Sequence, residues 1–173
     1  MKNIFLYLRF DWPVHFLLLL TNWLPDNVIF LKLRGFLISP FLGSCKGKLQ
    51  VARNVVFQNP SKIHLGERVN IGYGTCFLAT ADILIGTHVI IAPYCLIASS
   101  DHVRVNGSYQ HDVKKAEPVN IMEHTWLGAH VVVTAGSTIP PGSCVAAGAI
   151  VCSSFERPAL IGGVPAKVIK EFE

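Results

Sequence analysis

From residue 51 onward, aliphatic or aromatic residues return at every sixth position. They fall at Leu65, Ile71 and Phe77, at Ile85, Ile91 and Ile97, and at Ile121, Leu127, Val133, Ile139, Val145 and Val151. Two positions ahead of these sit small or branched residues: Val69, Thr75, Ile83, Val89, Cys95, Val119, Thr125, Val131, Ser137, Ser143 and Ala149. A glycine often follows, as at Gly66, Gly72, Gly86 and Gly128. A helix repeats near 3.6 residues and a half-buried strand near two, so neither produces a beat of six. Very short strands joined by regular corners do, with glycine relieving backbone crowding where the chain turns. Repeats at fixed spacing mark a solenoid. Three six-residue faces close one triangular coil, and three columns follow. One holds Leu65, Ile85, Ile121 and Ile139; a second Val51, Ile71, Ile91, Leu127 and Val145; a third Phe57, Phe77, Ile97, Val133 and Val151. The step from Leu65 to Ile85 is 20 residues instead of 18, so two coils carry a two-residue excess at one corner. The pattern predicts an all-β parallel β-helix of about four to five coils with the columns pointing inward.

Upstream of the beat the chain is apolar without it. Ile4 to Leu8 and Phe16 to Leu20 are apolar runs near Lys2 and Arg9, and Gly35 to Leu42 is another. Short helices are predicted here, broken at Pro13, Pro25 and Pro40, with Asp26 as a cap after Pro25. The expected organisation is a helical cap over residues 1–45 and a β-helix domain over 46–173, with a loop at 98–118 and a C-terminal tail. Arg9, Asp11, Pro13 and His15 interrupt the roughly 20 apolar residues a spanning helix needs, and no small-residue cleavage site follows. Two destinations stay open for the apolar runs: the coil end or a neighbouring subunit, and a membrane surface. The tail around Val168 to Glu171 either covers the other coil end or lies along a face.

Composition narrows the picture. The chain has 173 residues, 51% of them hydrophobic and 15% charged, where soluble domains carry about 25% charged. Disorder is excluded, and the mean hydropathy of +0.44 calls for apolar surface that meets a subunit or a membrane. A net charge of +4 fits an anionic ligand and is too weak an argument for nucleic acid. Cys45, Cys76, Cys95, Cys144 and Cys152 are odd in number and widely spaced, with no CxxC. They form neither a disulfide framework nor a cysteine-rich zinc site, which fits a reducing, cytoplasmic setting, at the inner face of the membrane if the N-terminus binds there.

The beat breaks once, between Ile97 and Ile121, a gap of 24 residues. The stretch from Ala98 to Glu117 holds Asp101, His102, Arg104, Asn106, Tyr109, His111, Asp112, Lys114 and Lys115. One polar excursion from a regular scaffold is where function is expected, and it reaches toward a neighbouring subunit. His88 and His124 fall at equivalent corners of neighbouring coils, and His130 at the same offset on another face. Zinc needs convergent ligands, and no third histidine converges with the first two. Cys95 reads as a small core residue, and Cys76 and Cys144 as outward-facing.

Three segments carry a resemblance. They are Ile85-Gly86-Thr87-His88-Val89-Ile90-Ile91-Ala92-Pro93 with Ser99-Ser100-Asp101-His102; Pro118-Val119-Asn120-Ile121 with Thr125-Trp126-Leu127-Gly128-Ala129; and Ile161-Gly162-Gly163-Val164-Pro165-Ala166-Lys167-Val168-Ile169. Over roughly residues 47–171 the chain resembles the hexapeptide-repeat acyltransferases, which are left-handed parallel β-helices. Within them it is similar to the sugar O-acetyltransferases, including the galactoside, maltose and polysaccharide-biosynthesis enzymes. The resemblance implies acetyl transfer from acetyl-coenzyme A to a sugar hydroxyl, in capsule, exopolysaccharide or lipopolysaccharide synthesis, by a homotrimer that needs no metal. It implies His102 as general base and Trp126 beside the thiol arm of coenzyme A. Backbone contacts to pantetheine fall at Ala129 and Ala147, and phosphate and adenine contacts at Cys152, Ser153, Lys167 and Lys170. Asp101, Arg104, Tyr109 and His111 are the residues expected to meet the acceptor.

The chain departs from the family where Cys152-Ser153 replaces the usual Thr-Lys, and where no Asn is found around Leu78 to Thr80. Its apolar N-terminus looks more like the polysaccharide-synthesis branch. Two other readings stand beside this one: acyl transfer to a sugar amine or serine, and a non-catalytic β-helix scaffold. The chemistry suits the loop histidine. A hydroxyl attacking a thioester needs a base titrating near neutrality, and imidazole does so at about 6.5. Its second nitrogen needs an acceptor, for which Asp82, Glu123 and a backbone carbonyl are the candidates. A backbone N–H would meet the oxyanion, and no acyl-enzyme is required.

Overall fold

The computed structural model describes residues 4–110 and 114–173. The expected columns are its core. On the first face Cys45, Leu65, Ile85, Ile121 and Ile139 stack in register on parallel strands. On the second the order is Val51, Ile71, Ile91, Leu127, Val145 and Ile161. On the third it is Phe57, Phe77, Ile97, Val133 and Val151. Leu65 through Ile139 and the other two columns are buried, as are the small residues two positions ahead of them. The first and third faces have five strands each, so the solenoid has five coils. Ile121 pairs directly with Ile85, so no unmarked coil hides in the gap, and the whole excess leaves the coil as a loop.

The corners explain residues that the beat alone did not. Lys48, Arg68, His88 and His124 take positive φ at successive first-to-second corners, and Asn54, Tyr94 and His130 do so at second-to-third corners. Histidine is among the side chains that best tolerate this left-handed conformation, which gives three of the seven histidines a structural role. At Gly86 a Cβ would stand 2.3 Å from the Glu123 amide of the next coil, so only glycine fits. Phe57 and Phe77 stack face to face at 5.2 Å inside the first two coils.

The N-terminal helices correct two expectations. Pro13 does not break the first helix, α1, which runs unbroken over Ile4–Thr21. A π-turn at Tyr7–Asp11, with the Trp12 amide donating to the Tyr7 carbonyl, shifts the ladder where proline lacks its N–H. The second helix, α2, spans Val28–Ile38 and is capped by Asn27, not Asp26. Asn27 has extended backbone, so its Oδ1 accepts from the Ile29 and Phe30 amides, each at 3.1 Å. Asp26 instead pairs with Arg34 at 2.8 Å and Arg53 at 3.3 Å. Pro40 sits in the 3-10 turn Ser39–Phe41 that follows α2.

Both helices cover the N-terminal end of the coil. Val14, Leu18, Ile38 and Leu42 join one core with Leu49, Val51, Val55 and Phe57. At Gly35 a Cβ would lie 2.0 Å from the Leu49 carbonyl oxygen, so the absent side chain lets α2 sit on the first coil. Arg34 is wholly buried between them and donates to the carbonyls of Thr21, Leu24 and Val51. At the other end, Ala159–Gly163 adds in parallel to the second face and Ala166–Glu171 folds back antiparallel on it. The tail therefore extends a face.

Candidate active site

Every insertion falls on one edge. The third-to-first corner carries the two-residue excess of the first two coils and then, in the third, the long excursion. There Ser100–His102 and Lys114–Ala116 form an antiparallel ribbon, with Ser100 opposite Ala116, Asp101 opposite Lys115 and His102 opposite Lys114. Its root is fixed by buried Ser99, whose Oγ accepts from the Thr80 and Ala81 amides at 2.9 Å and donates to the Ala81 carbonyl at 2.8 Å. Ser100 Oγ donates to Thr80 Oγ1 at 2.9 Å, and the Glu117 amide donates to the Ser99 carbonyl at 3.1 Å. Sequence reasoning missed Ser99 as a positioning residue. Its signal was its place two residues after inward Ile97, on the same side of the strand.

His102 stands exposed three residues above this root, with no side-chain partner among the described residues. Asp101 alternates to the opposite side of the ribbon. Arg104 and Tyr109 are exposed farther out, around a tight turn closed by reciprocal Val105 and Ser108 backbone bonds at 2.9 and 3.0 Å. His111 lies outside the described residues. Among the described residues neither expected carboxylate bonds to His102 within the chain. Asp82 stands 4.0 Å from His64 Nε2, and Glu123 lies at the first-to-second corner beside His124.

The residues expected to hold the acyl donor divide in two. Trp126 faces outward on the second face, half exposed between Ile90 and Cys144. Ala129 and Ala147 lie at stacked second-to-third corners, where the Ala129 carbonyl accepts from the Gly148 amide at 2.9 Å. Lys167 and Lys170, three apart, would face opposite sides of a regular strand. A bulge changes this: Lys170 pairs with Leu160 and Lys167 with Gly162, and Leu160 continues the outward row of Cys144 and Trp126. Both lysines thus share Trp126's side. Cys152 and Ser153 do not join them. They follow the third face on the edge that carries His102, two coils above the ribbon. In a triangular prism this edge lies opposite the second face. The residues expected to form the site therefore fall in two groups on one chain that point away from each other.

Four of the five thiols are held away from the thiolate form. Burial pushes Cys95 up to about 11 and also raises Cys45, Cys76 and Cys144. The His88 and His124 rings are 5.1 Å apart and tilted 43° to each other, while His130 stacks on Tyr94 at a different corner. Among the described residues no three potential metal ligands converge.

No family model matches the chain. A protein named for an acetyltransferase role in colanic acid biosynthesis, WcaF of Escherichia coli (strain K12), is 31% identical over 150 residues, covering 86% of this chain and 79% of its own. The chain belongs to the hexapeptide-repeat acetyltransferases. Galactoside O-acetyltransferase of the same organism is 30% identical over 122 residues, and the match spans 68% of this acetyltransferase-family chain and 58% of that relative. A solved galactoside acetyltransferase in complex with coenzyme A superposes with a TM-score of 0.82 at 25% identity, covering 92% of this chain and 79% of that one.

Proposed function

We propose that the protein transfers an acetyl group from acetyl-coenzyme A to a sugar hydroxyl during polysaccharide biosynthesis. The observation that carries the reading is the exposed imidazole of His102 on a ribbon rooted in the coil. The relatives named for galactoside and colanic acid acetylation support it. In the step, the acceptor oxygen attacks the thioester carbonyl carbon as His102 takes its proton. The carbon–sulfur bond then breaks, and the proton passes to the departing thiolate. Trp126 with the Ala129 and Ala147 backbones holds the thiol arm, and Lys167 and Lys170 meet the phosphates. Arg104 and Tyr109, farther out on the same excursion, are the proposed acceptor contacts on this chain, while Asp101 faces the other side of the ribbon.

As half-sites, the two groups motivate a homotrimer. Three parallel coils related by a threefold axis set the His102 edge of one copy, with its Cys152 and Ser153, against the Trp126 face of the next. Residues 1–45 act as a cap and a contact for apolar surface, and 46–173 as the transferase domain, with the protein placed in the cytoplasm. The test is coenzyme A release from acetyl-coenzyme A against a panel of monosaccharides, nucleotide sugars and glycan fragments, alongside sedimentation of the native protein. Replacing His102 with Ala should lower kcat by about 10² to 10⁴ with acetyl-coenzyme A affinity nearly unchanged. Near-normal turnover by that variant, or a fully active monomer, would remove the proposed mechanism.

A further inference from the structure

The N-terminal helices carry an apolar face that the rest of the described chain leaves open. On α1, Val14, Leu18 and Thr21 are buried against the coil. Leu8, Trp12, Phe16, Leu19 and then Trp23 run along the opposite side in steps of three or four, all exposed, Trp23 by 78%. The second helix repeats the arrangement, with Arg34, Gly35 and Ile38 inside and Ile29, Leu33 and Phe36 outside. A helix facing water on one side carries polar residues there, and these two do not. Exposed apolar rows of this kind mark an interaction surface.

Charge identifies the partner. Residues 1–66 hold eight Lys and Arg against two acids, Asp11 and Asp26, a net of +6. Residues 67–173 hold seven against nine, a net of −2, and the two parts restore the +4 of the chain. Asp26 is already engaged by Arg34 and Arg53. The apolar face therefore lies at the basic end of the molecule. A second copy would set like charge against like, whereas an anionic bilayer offers acyl chains to Phe16 and Leu19 and phosphates to Lys32. Trp12 and Trp23 suit the headgroup boundary.

The helix cannot span while folded. Val14 and Leu18 are packed in the coil's core, and Arg34 holds the Thr21 and Leu24 carbonyls against it. We propose that α1 and α2 lie flat on an anionic membrane surface and dock the protein there. The inference stands independently of the acetyl-transfer reading.

The test is flotation of the full chain with vesicles of phosphatidylcholine alone and of phosphatidylcholine with phosphatidylglycerol. Binding should be at least about tenfold stronger to the anionic vesicles and should weaken with salt. The double substitution Phe16→Ser with Leu19→Ser, at exposed positions, should lower it at least about tenfold while the thermal melt stays unchanged. Substituting Lys32→Glu should weaken anionic binding alone. Three outcomes overturn the proposal: no flotation on either vesicle, binding that ignores the substitutions, and self-association that the double substitution abolishes while vesicles stay unbound. The last assigns the face to a second copy.

Discussion

Replacing Arg34 with Met should release the helical cap while the coil stays folded. The guanidinium is fully buried; it ties the Thr21 and Leu24 carbonyls and Asp26 together inside the cap and reaches the first coil at the Val51 carbonyl, beside the Asp26–Arg53 and Asn22–Asn54 bonds that also cross. Removing it leaves the Val51 carbonyl without its 3.3 Å donor at the covered end of the coil and takes the 2.8 Å charge-assisted partner from Asp26. The Thr21 carbonyl keeps the Leu24 amide, and Asp26 keeps Arg53 and its backbone amide, so those losses are partial. An orphaned buried carbonyl costs about 1–3 kcal/mol and a charge-assisted bond about 1.5–3. Allowing for the relief of an uncharged Met, about 3 kcal/mol of docking energy should go, which is a factor of about 10² in the opening equilibrium. Hydrogen exchange by mass spectrometry separates the two regions. Amides of α1 and α2 should exchange about 10²-fold faster, while those at Leu127, Val133 and Val145 keep wild-type protection. Unchanged exchange in the helices, or equal loss through the whole coil, would refute the argument.

Other consequences are equally direct. Leu127→Ala opens a hole in a fully buried column and should cost about 2–5 kcal/mol in urea unfolding. Ser99→Ala unpairs the Thr80 and Ala81 amides at the ribbon's root; kcat should fall about tenfold at unchanged KM for acetyl-coenzyme A, since His102 loses its placement and the donor half-site is untouched. Cys95 should resist iodoacetamide at pH 8 in the native protein while exposed Cys152 reacts, because a thiol held near 11 is about one part in a thousand thiolate there; peptide mapping reads both. The sign for stability follows. Cys95 contributes stability that is fully present below its unfolded pKa and fades as pH rises toward 11, so the melt should drop on the alkaline side.

The sequence by itself determined the coil. A beat of six leaves one way to bury Ile71, Ile91, Leu127 and Val145 together, and a slip of one residue would turn every one of them to water. The same beat marked the excursion at 98–118, because a break in a strict period is visible against it. The corner histidines were legible as equivalent positions, but their reason was not, since positive φ is a backbone property. Tertiary structure decided whatever depended on contacts across coils. Asp26 lost the cap to Asn27 because two arginines distant in sequence claim its carboxylate. Pro13 sits inside a continuous helix because a local change of hydrogen-bond register absorbs it. Lys167 and Lys170 reach Trp126's side only through a bulge, which no spacing announces. Most of all, the candidate site residues read in order along one chain fall on opposed sides of a prism. A linear sequence records which residues a face carries, and only the closed coil shows which faces point apart.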